Sequence, residues 1–316
     1  MLQPSATPNV YYITEENFSI SDLLEINSCE KLAKLLNFNN INYDFIFFWG
    51  RDEEYLLSLL PHHNKKHILL WCGEETSIIP STKLCHSFFM IFKAYLTQEN
   101  YPNKKIHPLP LLIPNATTNH LPIIPIKQRK YNIFFSGNLN DNRFKLFYFL
   151  KPKKTLIDRI CFFLKQRNVK GINYIIRKIY LQSNKIKDFS IPTKRQAVFF
   201  TNKFNSGLTS NKYFDFLSNS QIILSPKGFH SSECFRLYEA MQCGCIVITE
   251  KLPNHPFYNQ IPVVQIEDWN NLQQISLQDL PSQFDANEIY KFYKENLSIE
   301  AIAHYIEKTI RDANFE

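Results

Sequence analysis

The chain carries, at residues 219–250, the sequence NSQIILSPKGFHSSECFRLYEAMQCGCIVITE. Two short apolar runs at 221–225 and 245–249 are rich in β-branched residues, which is typical of strands buried on both faces. Between them, a polar loop leads into a helical pattern that ends at Gly244. We predict a strand–helix–strand unit, which requires a right-handed crossover and a parallel sheet.

The helix of this unit is predicted to be capped by Ser231 or Ser232 and to hold Glu233 in its first turn. Four residues at helical spacing form its sheet-facing stripe: Cys234, Leu237, Tyr238 and Met241. In open α/β sheets the ligand crevice lies where such a helix begins. We therefore expect a ligand at this end of the helix.

Arg236 and Glu239 face away from the stripe, and their spacing of three makes them neighbours on one helix surface. An arginine offers a fixed fork of donors to phosphate, and a carboxylate accepts hydrogen bonds from a sugar diol. The free N–H groups at the helix start add partial positive charge. A diphosphate joined to a ribose would suit this arrangement, whereas the alternative is an ordinary surface ion pair.

The ordered pattern S-x-I-x-L-x-P-x-G, then S-x-x-x-R-x-x-E-A-x-x-x-G-C-I-x-I, resembles the C-terminal domain of exostosin-like glycosyltransferases. The matching residues are Ser220, Ile222, Leu224, Pro226, Gly228, Ser232, Arg236, Glu239, Ala240, Gly244, Cys245, Ile246 and Ile248. Tyr131–Asn138 with Arg143 is similar to the family's opening strand, glycine turn and arginine. Tyr213 begins a run similar to the family's Y-x-x-x-L-x-x-S. The resemblance covers about residues 131–270, and we find no family motif in the first hundred residues.

This resemblance implies an α/β protein of the GT-B class, with two Rossmann-like domains facing a central cleft. It also implies metal-independent transfer of a sugar from a nucleotide-sugar donor. We expect donor-binding roles for a set of residues on the second domain: Arg236, Glu239, Ser232, Gly228, His230, Gly137, Asn138 and Arg143.

The donor-side loops supply the physical reason for part of that set. Ser136, Gly137 and Asn138 are predicted to form a short turn after a strand, where the backbone approaches a phosphate closely. Arg143 either faces the same cleft or begins a basic surface. Lys227 is expected to lie in solvent.

Strand and helix signals alternate through the first part of the chain. Apolar strand-like runs occur at 10–14, 43–49 and 67–71. A helix is predicted at 21–36 with Ser19 or Ser21 as its cap, and residues 87–96 fit a strand or a helix equally well.

Four segments follow from these patterns. We predict an acceptor-side Rossmann-like domain at 1–120, a proline-containing linker at 121–130, and the nucleotide-sugar-binding domain at 131–285. Two C-terminal helices are expected within 286–316, and the GT-B resemblance implies that this end packs back on the first domain.

A catalytic base must come from across the cleft. Glu74 and Glu75 follow the predicted strand HILLW, at the end where open sheets build their sites, and we favour them over Asp52. His62 and His63 follow a proline and fit ordinary loop positions. An acidic loop residue is more often a solvated charge than a base.

We predict no metal and no cofactor for this chain. The sequence has no D-x-D pair, and its nine histidines form no cluster with the spacing of metal ligands. Arg236, the helix dipole and Arg143 would then stabilise the leaving nucleotide.

Composition indicates a globular chain, since hydrophobic residues make up 44% of the 316 residues. The seven cysteines form no C-x-x-C pair, which favours a reducing compartment. We see no secretory signal and no apolar run long enough to span a membrane. We therefore expect a cytoplasmic protein, with peripheral contact on the inner face of the membrane as an option.

That option comes from residues 144–188, which carry twelve Lys or Arg residues against two Asp residues. Basic amphipathic helices can lie on an anionic membrane. The alternative is a helical layer that covers the sheet with its lysines directed outward. Nucleic-acid binding is a third reading, but no nucleic-acid motif accompanies the charge, so we expect no nucleic-acid partner.

We therefore predict a glycosyltransferase that uses a nucleotide sugar and a glycan or lipid-linked acceptor in surface polysaccharide synthesis. By family resemblance the reaction would be inverting. A retaining transferase of the same fold is the nearer alternative, although its usual E-x7-E pattern would need a glutamate where Ser231 stands. The alternative from another class is a non-catalytic membrane- or RNA-associated module built on a transferase scaffold.

Overall fold

The structure is a computed structural model that describes most of the chain. The described residues are 2–5, 7–15, 25–39, 42–61, 65–73, 75–97, 103–112, 122–151, 154–167, 169–181, 189–193, 195–201 and 207–314. These residues form two α/β units, each built around one sheet.

The first sheet contains six strands in the order β1-β2-β3-β4-β5-β6, within the part of the chain that is described. The strands are β1 (Leu2–Pro4), β2 (Val10–Thr14), β3 (Tyr43–Trp49), β4 (Lys66–Trp71), β5 (Met90–Lys93) and β6 (Ile106–Pro108). All neighbours pair in parallel except β1, which runs antiparallel to β2 at the edge. The central strands are buried on both faces, which explains their almost unbroken apolar sequences.

Three helices accompany this sheet in the described segments: α1 (Ile26–Asn39), α2 (Glu53–Ser58) and α3 (Thr82–Ser87). The helix predicted at 21–36 is present as α1, but its proposed caps lie outside the described residues. The ambiguous stretch 87–96 contains the end of α3 and then β5. Ser81 accepts the backbone N–H of Leu84 and caps α3, which fixes where that helix starts.

The second sheet has the order β12-β11-β10-β7-β9-β8 in the described residues. Its strands are β7 (Tyr131–Asn138), β8 (Phe189–Thr193), β9 (Gln196–Thr201), β10 (Ser220–Ser225), β11 (Ile246–Glu250) and β12 (Val264–Ile266). All pairs are parallel except the edge strand β8, which the sequence did not predict. The predicted strand–helix–strand unit is therefore confirmed as β10, a helix and β11.

Nine α-helices accompany this second sheet and the C-terminal segment in the described residues. They are α4 (Phe144–Leu150), α5 (Leu156–Gln166), α6 (Ile172–Ile176), α7 (Ser210–Ser218), α8 (Phe235–Gln242), α9 (Pro256–Asn259), α10 (Leu280–Gln283), α11 (Ala286–Asn296) and α12 (Ile299–Ala313). Gly244 ends the α8 region with a φ of 65°, a conformation that glycine adopts at low cost.

Within the described residues, the contacts between the two units include the following. Near the sheets, the hydroxyl of Ser231 donates to the carbonyl oxygen of Leu96 at 3.4 Å. Farther away, α12 packs against α1, and Lys31 forms an ion pair of 2.6 Å with Glu300. The predicted fold class is confirmed: the chain is an α/β protein with two sheets that are parallel apart from one edge strand each.

Candidate donor site

Helix α8 begins later than its sequence predicts. Cys234 is its N-cap residue and makes no side-chain capping bond, so the predicted caps at Ser231 and Ser232 are wrong. The hydroxyl of Ser231 is used elsewhere: it donates to the Leu96 carbonyl and accepts the backbone N–H of Glu233. Consequently Glu233 lies before the helix, and Cys234 stands at the helix start, where its sulfur contacts the hydroxyl of Ser225 on β10 at 2.9 Å.

Gly137 is also placed differently from the prediction. It lies inside β7, opposite Phe200 of β9, so the expected turn at 136–138 is wrong because the strand continues through Asn138. A Cβ atom on Gly137 would lie 2.9 Å from Nη2 of Arg236 and 3.2 Å from Nη1 of Arg143. The glycine therefore makes room for two guanidinium groups, and these groups lie close enough together to contact one phosphate.

Both arginines are held against the end of β7. Nη1 of Arg143 donates to the backbone oxygen of Asn138 at 3.0 Å and to its side-chain oxygen at 2.6 Å. Nη2 of Arg236 donates to the backbone oxygen of Ser136 at 2.5 Å, and its guanidinium lies 4.9 Å from the centroid of the Phe135 ring. Within the described residues, the Nε atoms of both arginines are buried without a hydrogen-bond partner. The buried Arg143 and the half-buried Arg236, each with an unused Nε–H donor, form a site suited to an anion.

The charges around Arg143 also favour binding of an anion. The pKa of Arg143 is lowered to about 10, first by burial and then by the positive charge of Arg236. Only 8% of Arg143 is exposed, so water screens this repulsion poorly. Glu250 and Glu75 act in the opposite sense and raise the Arg143 pKa, but more weakly. The carboxyl end of the second sheet thus carries concentrated positive charge.

Glu239 lies beside this cationic pair. Its Oε2 accepts the hydroxyl of Tyr213, on α7, at 2.7 Å. Burial raises the pKa of Glu239, while the bond from Tyr213 and the charge of Arg236 oppose that rise. Burial is also the first cause of the raised pKa of Tyr213. The structure therefore brings Arg236, Glu239, Gly137, Asn138 and Arg143 into one region.

The loop before α8 is anchored to the same edge. The carbonyl oxygen of Gly228 accepts the side-chain amide of Asn142 at 2.8 Å. The backbone N–H of Lys227 donates to Glu250 at 2.8 Å, and burial raises the pKa of that carboxyl. Gly228 borders open space and His230 is exposed. Ser232 is half-buried.

The first unit contributes the opposite wall. Burial is the largest effect on both Arg143 and Tyr95: it lowers the pKa of Arg143 and raises the pKa of Tyr95. Glu75 lies near enough for its negative charge to raise the pKa of both residues. Glu74, His62 and His63 lie outside the described residues. Asp52 caps α2 by accepting the backbone N–H of Tyr55, a structural use of its carboxylate.

Sequence reasoning missed two carboxylates at the junction of the two units. Glu25 accepts the indole N–H of Trp49 at 3.0 Å and lines a small cavity with Phe235 of α8; burial raises its pKa. Glu233 is 1% exposed and accepts the hydroxyl of Tyr258 at 2.9 Å and the backbone N–H of Tyr95 at 3.2 Å.

The hydroxyl of Tyr238 also donates to Glu233. Burial raises the Glu233 pKa to about 7. A glutamate that directly follows Ser231 and Ser232 resembles a first-turn helix residue, so its role at the junction leaves no local sequence signal.

The chain has two α/β units with largely parallel sheets, and Arg143 and Arg236 lie at the carboxyl edge of the second sheet. This is the two-lobed architecture of GT-B proteins. Residues 161–291 match the family model of the RXYLT1 C-terminal domain. This match confirms the resemblance to exostosin-like glycosyltransferases over that segment and supports glycosyltransferase activity. The segment contains Arg236 and Glu239, whereas Arg143 and Gly137 precede it.

Solved structures with similar folds include three that differ strongly in sequence. AviGT4, described as a glycosyltransferase involved in avilamycin A biosynthesis, has 9% identity, 90% coverage of both chains and a TM-score of 0.45. TarM has 11% identity over 88% of this chain and 58% of its own, with a TM-score of 0.45. A putative UDP-N-acetylglucosamine 2-epimerase from Listeria monocytogenes has 11% identity over 95% and 82% of the two chains, with a TM-score of 0.39. No curated protein sequence matches the chain.

No three His, Cys, Asp or Glu side chains in the described part of the chain are grouped as metal ligands would be. None of the described helices combines the length and the apolar character that crossing a membrane requires.

Proposed function

We propose that this glycosyltransferase is inverting and metal-independent, and that it moves a sugar from a nucleotide-sugar donor to a glycan or glycolipid acceptor. The observation that carries the proposal is the close approach of Arg143, which is buried, and Arg236, which is half-buried, beside Gly137. The diphosphate of a donor would neutralise both cations and would accept hydrogen bonds from their unused Nε–H groups.

The same pair would assist departure of the nucleotide. When the bond between the anomeric carbon and the diphosphate breaks, negative charge develops on the leaving phosphate oxygen. Fixed cations close to that oxygen stabilise the charge more in the transition state than in the bound donor. In the proposed reaction Arg143 and Arg236 therefore take the role that a divalent ion has in other transferases.

Glu239 is the proposed ligand of the donor ribose. Glu239 is half-buried and accepts a hydrogen bond from Tyr213, so its two carboxylate oxygens retain capacity to accept further hydrogen bonds. A ribose diol supplies two such donors. Tyr213 would then act as a positioning residue that fixes the orientation of Glu239.

Glu75 is the proposed base, because it comes from the opposite unit and its charge already acts on Arg143. It would accept the proton of an acceptor hydroxyl while that oxygen attacks the anomeric carbon from the face opposite the nucleotide. One carbon–oxygen bond forms, the bond to the diphosphate breaks, and the configuration inverts. Glu25 is the second candidate, because burial raises its pKa and it lines a cavity with Phe235 of the other unit.

Donor binding is tested by calorimetry with UDP and GDP, each with and without EDTA. We expect one nucleotide to bind with an affinity that EDTA does not change. Arg236→Met should weaken binding, whereas Arg311→Met, at an exposed position on α12, should not. Binding that requires a divalent ion, or equal affinity in both variants, would remove the basis of the proposal.

The base and the stereochemistry need transfer assays. A panel of nucleotide sugars identifies the donor by its slow hydrolysis, and Glu75→Gln should then lower kcat by about 10²- to 10⁴-fold with little effect on donor KM. If only Glu25→Gln has this effect, Glu25 is the base. An inverted anomeric linkage in the product, observed by NMR, supports the mechanism, and a retained linkage contradicts it.

We also propose that the reaction takes place in the cytoplasm, in the synthesis of a surface polysaccharide or glycolipid. All seven cysteines are free, and six of them are buried, which is consistent with a reducing compartment. Thiol titration of protein purified without reductant provides the check, since seven titratable thiols after denaturation are expected.

A further inference from the structure

Helix α5 exposes an apolar face. Leu156, Ile157, Ile160 and Phe163, which we call the outer stripe, are 73%, 50%, 49% and 48% exposed. At 100° per residue these four positions lie on one side of the helix. Solvent-exposed apolar residues are common singly, but a continuous stripe along one helix marks an interaction surface.

The opposite side of α5 fixes the helix in this orientation. Phe162 stacks on Tyr148 with 3.9 Å between ring centroids, and Cys161 is buried. Thr155 and Asp158 form a capping box at the helix start, and Lys151 binds the Asp158 carboxylate at 2.7 Å. The outer stripe therefore cannot turn inward without loss of these contacts.

The apolar surface continues onto the neighbouring segment and helix. Val169 is 40% exposed, and on α6 Tyr174 and Ile175 are 65% and 43% exposed. The sequence left open whether this region directs its lysines or its apolar residues outward. Burial shows that large apolar residues share the outer surface with the cations.

Charge on this surface has one sign. The exposed charged residues of the described part of 154–181 are all cations: Lys154, Arg159, Arg167, Lys170 and Lys178. Asp158, the one carboxylate among these described residues, is 1% exposed and paired with Lys151. A second copy of this chain would bring like charges together, so self-association through this surface is electrostatically disfavoured.

We propose that the outer stripe docks this protein on the surface of an anionic lipid bilayer. The four apolar side chains enter the boundary between headgroups and acyl chains, and the surrounding cations bind anionic headgroups. Such docking would hold the enzyme at the surface where a lipid-linked acceptor lies, but it does not depend on the proposed transfer reaction.

Vesicle co-sedimentation of the full chain tests the proposal. We expect binding to phosphatidylcholine vesicles that contain phosphatidylglycerol, weak binding to phosphatidylcholine alone, and loss of binding in high salt. Leu156→Ser with Ile160→Ser should weaken partitioning about tenfold or more. Lys170→Gln with Lys178→Gln should weaken it about thirtyfold.

Ile79→Ser is the matched control, because Ile79 is 54% exposed and lies in the first unit; its vesicle binding should equal that of the wild type. UDP affinity should be unchanged in all these variants, which separates this proposal from the donor site. The proposal is overturned if the wild type ignores anionic vesicles or if the stripe variant binds them normally. Two other results also overturn it. In the first, the wild type binds no vesicles but forms a dimer in light scattering, and the stripe variant is monomeric. In the second, the wild type binds RNA and no vesicles.

Discussion

The repulsion between Arg143 and Arg236 is measurable in the unliganded protein. Both guanidinium groups approach the same point beside Gly137, and Arg143 is almost fully buried. For unit charges roughly 5 Å apart, an effective dielectric constant between about 20 and 80 gives a repulsion of about 1 to 3 kcal/mol. This free energy is present in the folded state and absent in the unfolded chain.

A double-mutant cycle isolates that repulsion. Arg143→Met loses two hydrogen bonds to Asn138, and Arg236→Met loses one to Ser136, but each change also relieves the repulsion. The double variant relieves it only once. We therefore expect the double variant to be less stable than the sum of the single effects by about 1 to 3 kcal/mol.

Urea unfolding of the four proteins measures the cycle, first alone and then with saturating UDP. With UDP bound, both arginines contact one anion, so the coupling should become attractive. Each single change should weaken UDP binding about tenfold to a hundredfold, as for other hydrogen bonds to charged groups. Zero or attractive coupling without nucleotide would refute the idea that the two cations share one anion site.

Three further changes test separate features. Gly137→Ala should leave the free energy of unfolding nearly unchanged, because its Cβ meets the end of a flexible side chain, but should weaken UDP binding about tenfold by displacing Arg236; equal affinity in calorimetry would contradict this. Gly244→Ala should cost at least about 2 kcal/mol in urea unfolding, since φ is 65° and the new Cβ would lie 2.4 Å from the Ala286 carbonyl oxygen. Burial raises the Glu233 pKa from 4.5 to about 7, so its contribution to stability is full below pH 4.5 and is lost as the pH rises through 7. Relative to the wild type, Glu233→Gln should therefore gain up to about 3 kcal/mol between pH 4.5 and 8, and a constant difference would argue against that titration.

The regular elements were predictable because they depend on local patterns. The runs YDFIFFW and SQIILS are mostly apolar and short, which is typical of strands buried on both faces of a parallel sheet. The edge strands β1 and β8 were missed, since their formation depends on pairing with a distant partner and their own sequences are not distinctive.

The start of α8 shows where local rules fail. Two serines before a helical pattern normally cap it, but here Ser231 is bound to the Leu96 carbonyl of the other unit. That contact is a property of the assembled fold. It moves the helix start to Phe235 and turns Glu233 from a predicted first-turn residue into a buried acceptor at the junction.

The positions of the donor-binding residues could be predicted from the sequence better than the position of the catalytic base, for a physical reason. Arg236 and Glu239 are three residues apart on one helix, so their proximity follows from helical geometry alone. The approach of Arg236 to Gly137 requires β7 and β10 to be neighbours, which the sheet order provides. A base on the other unit has no such local relation to its substrate. The position of a base depends on how the two units meet. Glu25 lies before α1 and far from any recognised motif. Only the cavity that Glu25 and Phe235 line together identifies it as a candidate.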